Sequence, residues 1–165
     1  MSIRRFADVV EGESSVDCAV LSVTIYFSGS ITGGREDVVL YRRMIEALEA
    51  DGHRVLAGAV AAEHIGDGGE ALALGEIFAR DLRWIDDSDL VVAEVSTPSH
   101  GVGYEIAYAR WSRGIPVIAL YRRGRTKRCS AMISGDPGVH FLEYEDVDTV
   151  LESLRGAVRY PDRLP

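Results

Sequence analysis

The chain contains few cysteines and no long apolar run. Cys18 and Cys129 are the two cysteines among 165 residues, and because they lack metal-ligand spacing they predict neither a disulfide framework nor a zinc site. No apolar segment approaches the roughly 20 residues that a membrane-spanning helix requires. Residues 1–19 also lack the continuous apolar core of a signal peptide. We therefore expect a flexible N-terminal leader over residues 1–19, a cytoplasmic protein and no membrane partner.

Positive charge is scarce as well. The 18 lysines and arginines stand against 26 aspartates and glutamates, which gives a net charge of -8. This excess of negative charge repels long polyanions and argues against a polymeric nucleic acid as partner. A small phosphorylated ligand is compatible with this net negative charge, because backbone N–H groups at the start of one helix are enough to bind a phosphate.

The composition that is present fits one folded domain. Hydrophobic residues make up 47% of the chain and charged residues 27%, as in ordinary globular proteins. No linker, internal repeat or low-complexity segment divides the sequence, and its length is typical of one domain. We therefore predict a single domain over residues 20–160.

Strand-like and helix-like segments alternate along this domain. Apolar, β-branched runs predict strands at 20–27, 53–60, 89–95, 115–120 and 141–145, and apolar spacing of three and four residues predicts helices at 35–52, 71–89, 104–114 and 146–158. This alternation is typical of an α/β fold with a doubly wound, Rossmann-like, mostly parallel five-stranded sheet and helices on both faces. In such folds ligands bind outside the carboxyl ends of the strands.

A glycine-containing loop follows the first predicted strand. Tyr26 lies at the end of that strand, just before the loop. This first loop, residues 28–34, reads SGSITGG. Its position resembles that of phosphate-binding loops, but it lacks both the G-x-G-x-x-G spacing and the Gly-Lys-Ser/Thr ending of a P-loop. The motif therefore indicates neither a dinucleotide nor a nucleoside triphosphate, and a tight strand-to-helix turn would explain it equally well.

A second loop, residues 96–103, follows the third predicted strand. It combines the hydroxyl of Ser99 with Gly101 and Gly103, whose missing side chains let backbone donors approach an anion. Glu105 follows in the first turn of the next predicted helix, where a carboxylate beside an anchored phosphate could act as a nucleophile. An exposed first-turn Glu that merely suits the helix N-terminus is the open alternative.

Three other groups of polar residues are weaker candidates. Asp81 lies on the second predicted helix, where a solvent-facing charge is the ordinary interpretation. The histidines at 53, 64, 100 and 140 have no metal-like spacing, so we predict no metal site. A basic cluster at 122–128 is typical of a solvated loop, yet it leads into Ser130 and Met132 near the predicted ligand edge.

Three blocks of the sequence carry a resemblance to a known family. IYFSGSITGGRED, ARDLRWIDDSDLVVAEVSTPSHGVGYE and CSAMISG together resemble the 2'-deoxynucleoside 5'-phosphate N-hydrolases, within the nucleoside deoxyribosyltransferase superfamily. The resemblance implies a doubly wound α/β domain that forms a homodimer. It also implies hydrolysis of the N-glycosidic bond of a nucleoside 5'-monophosphate to a free base and a sugar 5-phosphate, without metal or organic cofactor.

The resemblance also implies roles for individual residues. The nucleophile of the family matches Glu105, and its other catalytic positions match Asp81 and Tyr26. Ser99 and Gly101 match positions that hold the 5'-phosphate. The sugar and base side of the pocket matches Gly29, Ser30, Ile31, Thr32 and Gly33, and a segment contributed across the dimer interface matches Ser130, Ala131 and Met132.

Thr32 departs from the pattern of the family. Relatives carry an Arg here, in S-I-R-G-G, so a charged contact is lost. The base and the 2' position of the sugar therefore stay open among CMP, dCMP and 5-hydroxymethyl derivatives, and some relatives in nucleoside-antibiotic pathways act on a ribonucleotide such as CMP. Two other interpretations are a glycosyl transferase that uses a second base and a non-catalytic nucleotide-sensing module. The joint presence of Tyr26, Asp81 and Glu105 favours an enzyme.

Overall fold

A computed structural model of the chain describes residues 22–31, 36–62 and 70–164. The predicted leader, Thr32 and Gly33 lie outside the described residues. Within the described ranges, no helix combines the length and the apolar character needed to cross a membrane.

Five strands form one sheet in which every neighbouring pair is parallel. The strands are β1 (Thr24–Ser28), β2 (Arg54–Leu56), β3 (Leu90–Glu94), β4 (Val117–Arg122) and β5 (Val139–Tyr144). Their order in space is β2-β1-β3-β4-β5. The predicted α/β class and five-stranded sheet are confirmed, and the sheet is wholly parallel.

Helices cover both faces of the sheet, as predicted. They are α1 (Val38–Ala50), α2 (Leu74–Asp86), α3 (His100–Ala107), α4 (Ala131–Ser134) and α5 (Val147–Val158), with a π-helical segment Tyr108–Arg113 after α3 and a 3-10 turn at Pro161–Arg163. One core cluster joins α1 and α5 to the sheet, and the other joins α2 and α3 to the opposite face, with α4 at its margin. The two faces are named below the α1/α5 face and the α2/α3 face.

The side chains of β1 show how the sequence divides between these faces. Ile25 and Phe27 pack with α1 and α5, whereas Tyr26 belongs to the core under α2 and α3. Because successive residues of a strand point to opposite faces, Ser28 shares the face of Tyr26. All five residues of β3 are buried, as expected of a central parallel strand covered on both sides.

Several boundaries of helices and strands differ from the sequence prediction, among them the three that follow. β2 is shorter than predicted, because Gly58 adopts a φ of 49°, in the left-handed region, and ends the extended backbone. α3 begins at His100 rather than at 104, since Ser99 caps it. β1 continues to Ser28, so Tyr26 lies at the middle of the strand and not at its end. The short helix α4 was not predicted.

The strand order reverses between β1 and β3. From β1 the chain passes through α1 to the edge strand β2, and it then returns through α2 to β3 on the other side of β1. At such a reversal the loops after the two strands leave in opposite directions and open a crevice at the carboxyl edge of the sheet. The loops that follow β1 and β3 are the two that the sequence singled out.

Candidate active site

The carboxyl group of Glu105 lies between α3 and the end of β1. The Ser28 hydroxyl donates a hydrogen bond to Oε2 of Glu105, and the Tyr26 phenol also forms a hydrogen-bonding interaction with this carboxyl group. Tyr26 and Ser28 reach the same group because they are two residues apart on one face of a strand. Two hydroxyl donors thus hold one partly buried carboxylate.

Burial has the largest effect on the pKa values of Glu105 and Tyr26. It raises the pKa of Glu105 to about 7, against the opposing effect of the Ser28 and Tyr26 hydrogen bonds, while the charge of Asp81 raises it further. Tyr26 is 4% exposed, and burial followed by the charges of Glu105 and Asp81 raises its pKa far above the ordinary value. Tyr26 therefore stays a neutral hydrogen-bond donor while Glu105 titrates near neutrality.

Asp81 approaches the same place from α2. Burial raises the pKa of its carboxyl group, and the guanidinium of Arg80 opposes this effect. Nη2 of Arg80 lies 2.8 Å from Oδ1 of Asp81, and the same nitrogen lies 2.6 Å from Oε1 of Glu70. Arg80 also stacks over the Trp84 ring at 4.6 Å, so Asp81 is held by a fixed partner.

The structure thus brings together the three residues that the resemblance marked as catalytic. We call Tyr26, Ser28, Asp81 and Glu105 the carboxylate cluster. Ser28 was missed by the sequence analysis, although a signal for it existed: once Tyr26 is assigned to the site, strand alternation places the residue two positions later on the same face.

The N-terminus of α3 corrects the expected position of Glu105. The Ser99 hydroxyl accepts a hydrogen bond of 3.4 Å from the Val102 N–H and caps the helix. Glu105 therefore lies in the second turn of α3 and not in the first. Since the helix dipole acts mainly within the first turn, burial rather than the dipole sets the ionisation of Glu105.

A cleft of about 960 Å³ opens beside this helix start. Residues 97–103 form one wall, and Arg128, Ser130 and Met132 contribute to another. A Cβ atom added at Gly101 would meet Ser99 Oγ at 3.8 Å, and one added at Gly103 would meet no atom within 4 Å. The glycines therefore leave open space beside the helix backbone.

The cleft and the carboxylate cluster meet at α3. Gly101 lines the cleft, and Glu105, four residues later, lies on the same side of the helix one turn further on. Glu105 is not among the described residues that line the cleft. The two features are therefore adjacent parts of one edge of the sheet.

The remaining predicted residues lie around these two features. Gly29 is packed so closely that a Cβ atom would lie 2.9 Å from Val60 Cγ2 and 3.0 Å from the Tyr41 ring. Ser30 is fully buried, and Ile31 packs against the α1/α5 core. Ala131 lines a groove next to the main cleft. Within the described part of the chain, no group of three or more His, Cys, Asp or Glu is arranged to hold a metal ion.

The raised pKa of Glu105 predicts a pH-dependent change in stability. A folded-state pKa of about 7 against an ordinary 4.5 means that this group contributes stability fully below pH 4.5 and loses the contribution as the pH rises through 7. Glu105→Gln should therefore raise the free energy of unfolding by up to about 3 kcal/mol at pH 8.5 and change it little at pH 4.5.

Urea unfolding of both proteins across this pH range measures the difference. The exposed Glu152 of α5 offers the matched control, since Glu152→Gln should change little at either pH. Parallel stability curves for wild type and Glu105→Gln would contradict the assignment of a buried, titrating carboxyl group.

Comparison with known proteins identifies the family. Residues 25–151 match the model of the nucleoside 2-deoxyribosyltransferase family. A protein of Syntrophotalea carbinolica, whose name assigns it provisionally to the 2'-deoxynucleoside 5'-phosphate N-hydrolases, is 41% identical over 79% of this chain and 91% of its own. The 5-hydroxymethyl-dUMP N-hydrolase of Tetraodon nigroviridis is 42% identical over 79% of this chain and 95% of its own.

A solved structure agrees at the level of the fold. The CMP N-glycosidase of Clostridium botulinum superposes with a TM-score of 0.58 at 20% identity, over 79% of this chain and 97% of its own. The matched family model spans most of the domain, and it includes β1, α2 and α3, which carry the carboxylate cluster. The chain therefore belongs to the nucleoside 2-deoxyribosyltransferase family.

Proposed function

We propose that this protein hydrolyses the N-glycosidic bond of a nucleoside 5'-monophosphate and releases the base and a sugar 5-phosphate. The observation that carries the proposal is the carboxyl group of Glu105, held by two hydroxyls one helical turn from the open start of α3. The names of two relatives, each more than 40% identical, describe N-hydrolases of nucleotides.

Glu105 is suited to act as the nucleophile. As a carboxylate it attacks C1' of the sugar while the bond from C1' to the base breaks, which forms a covalent glycosyl ester. Water then attacks the same carbon, releases the sugar 5-phosphate and restores the carboxylate. The Ser28 and Tyr26 hydroxyls hold the attacking carboxylate in position, so that little entropy is lost in orienting it when the reaction occurs.

Asp81 is suited to handle the proton of the leaving base. Burial raises the pKa of its carboxyl group, which favours a form that carries a proton. A protonated Asp81 donates to the departing base, and it recovers a proton from the water that cleaves the ester. Arg80 keeps the side chain in place during both steps.

A panel of ribo- and deoxyribonucleoside 5'-monophosphates assayed for free base tests this function. We expect turnover of at least one pyrimidine nucleotide, among CMP, dCMP and their 5-hydroxymethyl derivatives. Its kcat/KM should have a bell-shaped dependence on pH. It should fall at low pH as Glu105, with a pKa of about 7, becomes protonated in the free enzyme, and fall again at high pH as Asp81 loses the proton that it donates. Glu105→Gln should lower kcat/KM by about 1,000-fold or more.

Three outcomes of these assays would overturn the proposal. The first is full base release by Glu105→Gln, which would remove the nucleophile. The second is exchange of the base for an added free base without sugar phosphate, which would favour a transferase, the activity that gives the family its name. The third is nucleotide binding with no turnover, which would favour a sensing module.

The start of α3 is suited to the 5'-phosphate. Its first backbone N–H groups are free of intrahelical partners, and they carry the positive end of the helix dipole. Ser99 accepts from the Val102 N–H, so the hydroxyl proton of Ser99 stays available for a phosphate oxygen. Arg128 lines the same cleft and adds positive charge.

Ser99→Asp separates phosphate binding from helix capping. Asp caps helices as well as Ser does, but its negative charge would repel the phosphate. We expect the KM for the nucleotide to rise by about tenfold or more, with thermal stability unchanged and no loss with the corresponding nucleoside. Ser99→Asn, which keeps the cap without the charge, is the control. Equal damage to nucleotide and nucleoside turnover would show that the phosphate binds elsewhere.

An exposed apolar surface supports a homodimer with a shared active site. Its side chains lie on the α2/α3 face and are each more than half exposed: Leu74, Phe78, Tyr104, Trp111 and Met132. Monomeric proteins rarely leave so many large apolar groups in water together. Trp111 and Met132 also line the cleft. We propose that a second copy covers this face and that its Ser130, Ala131 and Met132 complete the nucleotide pocket.

Oligomeric state and subunit mixing test the shared site. Met132→Glu should convert the dimer to a monomer in light scattering, because the interface would bury an unpaired charge. Val39→Glu, at a 68% exposed position of α1 on the opposite face, is the control. Glu105→Gln and Ser130→Glu should each be inactive alone and recover activity when mixed, since the heterodimer then holds one intact site. A monomeric wild type, or no recovery, would contradict the proposal.

A further inference from the structure

A second carboxyl group lies at the end of β3, on the face of the sheet opposite to Glu105. Glu94 is the last residue of β3 and is fully buried. Because side chains alternate along the strand, it lies with Leu90 and Val92 on the α1/α5 face. The chemistry proposed above does not use it, and a buried acid at the edge of an apolar strand requires a reason.

Three donors converge on Glu94. The Ser96 hydroxyl donates to Oε1, the Ser96 N–H donates to Oε2 at 3.3 Å, and the Tyr144 hydroxyl donates to Oε1 at 2.9 Å. The Ser96 oxygen in turn accepts from the Arg122 N–H at 2.6 Å, so its own proton is free for Glu94. A carboxylate, which only accepts, matches this set of donors better than any other side chain does.

Ser96 connects Glu94 to the wall of the cleft. It is the first residue of the second loop, where the chain leaves β3, crosses the carboxyl edge of the sheet and reaches the Ser99 cap of α3. Thr97, the next residue, donates to Oδ2 of the buried Asp37 at 3.3 Å. Ser96 and Thr97 are therefore fixed by hydrogen bonds to two buried acids, Glu94 and Asp37 respectively.

We propose that Glu94 is a positioning residue that anchors the second loop, residues 96–99, through Ser96. It acts on binding and orientation of the substrate and takes no part in the chemical step. The expected effect on substrate binding rests on the proposed function. The anchoring of the loop itself rests only on the hydrogen bonds of the Glu94 carboxylate.

Two hydroxyl deletions provide a matched test. Ser96→Ala and Tyr144→Phe each remove one donor to the same Oε1 atom, but only Ser96 belongs to the crossing that leads to α3. We expect Ser96→Ala to raise the KM for the nucleotide by about tenfold with a smaller effect on kcat, and Tyr144→Phe to change KM less than about twofold, at comparable losses of thermal stability. Equal effects on KM would reduce Glu94 to a residue of general stability and overturn the proposal.

Hydrogen exchange without any substrate gives a second readout. Glu94→Gln places an amide N–H₂ among donors and should speed exchange of the backbone amides in 96–103, with the amides of α5 unchanged. Tyr144→Phe should leave exchange in this segment unchanged. Unchanged exchange of 96–103 in folded Glu94→Gln would contradict the anchor, and should this variant not fold, the Ser96→Ala and Tyr144→Phe pair decides by the same exchange measurement.

The two proposals fail in different ways. A wild-type protein that releases no base from any nucleotide would overturn the proposed function, and loop exchange would still test Glu94. Base release with a second loop that is insensitive to changes at Glu94 and Ser96 would leave the function standing and remove the anchor.

Discussion

The burial of the Glu105 carboxyl group between β1 and α3 is the interaction on which the site depends. A carboxylate removed from water needs donors, and here alternate residues of one strand, Tyr26 and Ser28, supply them. This arrangement requires the helix after β3 to pass over the end of β1, and therefore requires β1 and β3 to be neighbours. The reversal of strand order at this point is thus a condition for the carboxylate cluster as well as for the crevice.

The sheet divides the acids of the site between two environments. Glu105, on the α2/α3 face, keeps some exposure and lies one turn from an open cleft, so its proton exchanges with solvent in the neutral range. Glu94, on the α1/α5 face, is fully enclosed by donors. One continuous segment joins them over the carboxyl edge. A partly exposed acid that titrates near neutrality and a fully buried acid thus lie on opposite faces of the same sheet, joined by one segment of the chain.

The fold was predictable because its signals are local. Among the residues that the structure describes, alternating apolar runs and helical spacings identified all five strands and four of the five α-helices. The start of α3 was misplaced because Gly101 and Gly103 disfavour helix in isolation, and the burial of Val102 and Ile106 overrides that preference. Ser99 before them was a recognisable cap signal. The end of β2 depended on the φ of Gly58, which no periodicity reveals.

The site was predictable only in part. The loop at residues 96–103 pointed to Glu105, and the resemblance then joined it to Asp81 and Tyr26, since residues 26, 81 and 105 have no sequence proximity that would bring them together. The role of Arg80 could not be predicted from the sequence, because it depends on contacts with Glu70 and with the Trp84 ring. Glu94 left a visible signal, a charged residue within the apolar run DLVVAEV, but one of its donors, Tyr144, lies 50 residues further along the chain.

The two outer strands of the sheet have a consequence for how copies of the protein associate. β2 has three residues, which is too short to serve as a template for an added strand. The other outer strand, β5, carries Glu143, which forms an ion pair of 2.9 Å with Arg123, and charge at such a border discourages continuation of the backbone ladder into another molecule. The lateral margins of the sheet therefore disfavour edge-to-edge addition of another chain, and with it fibrillar growth.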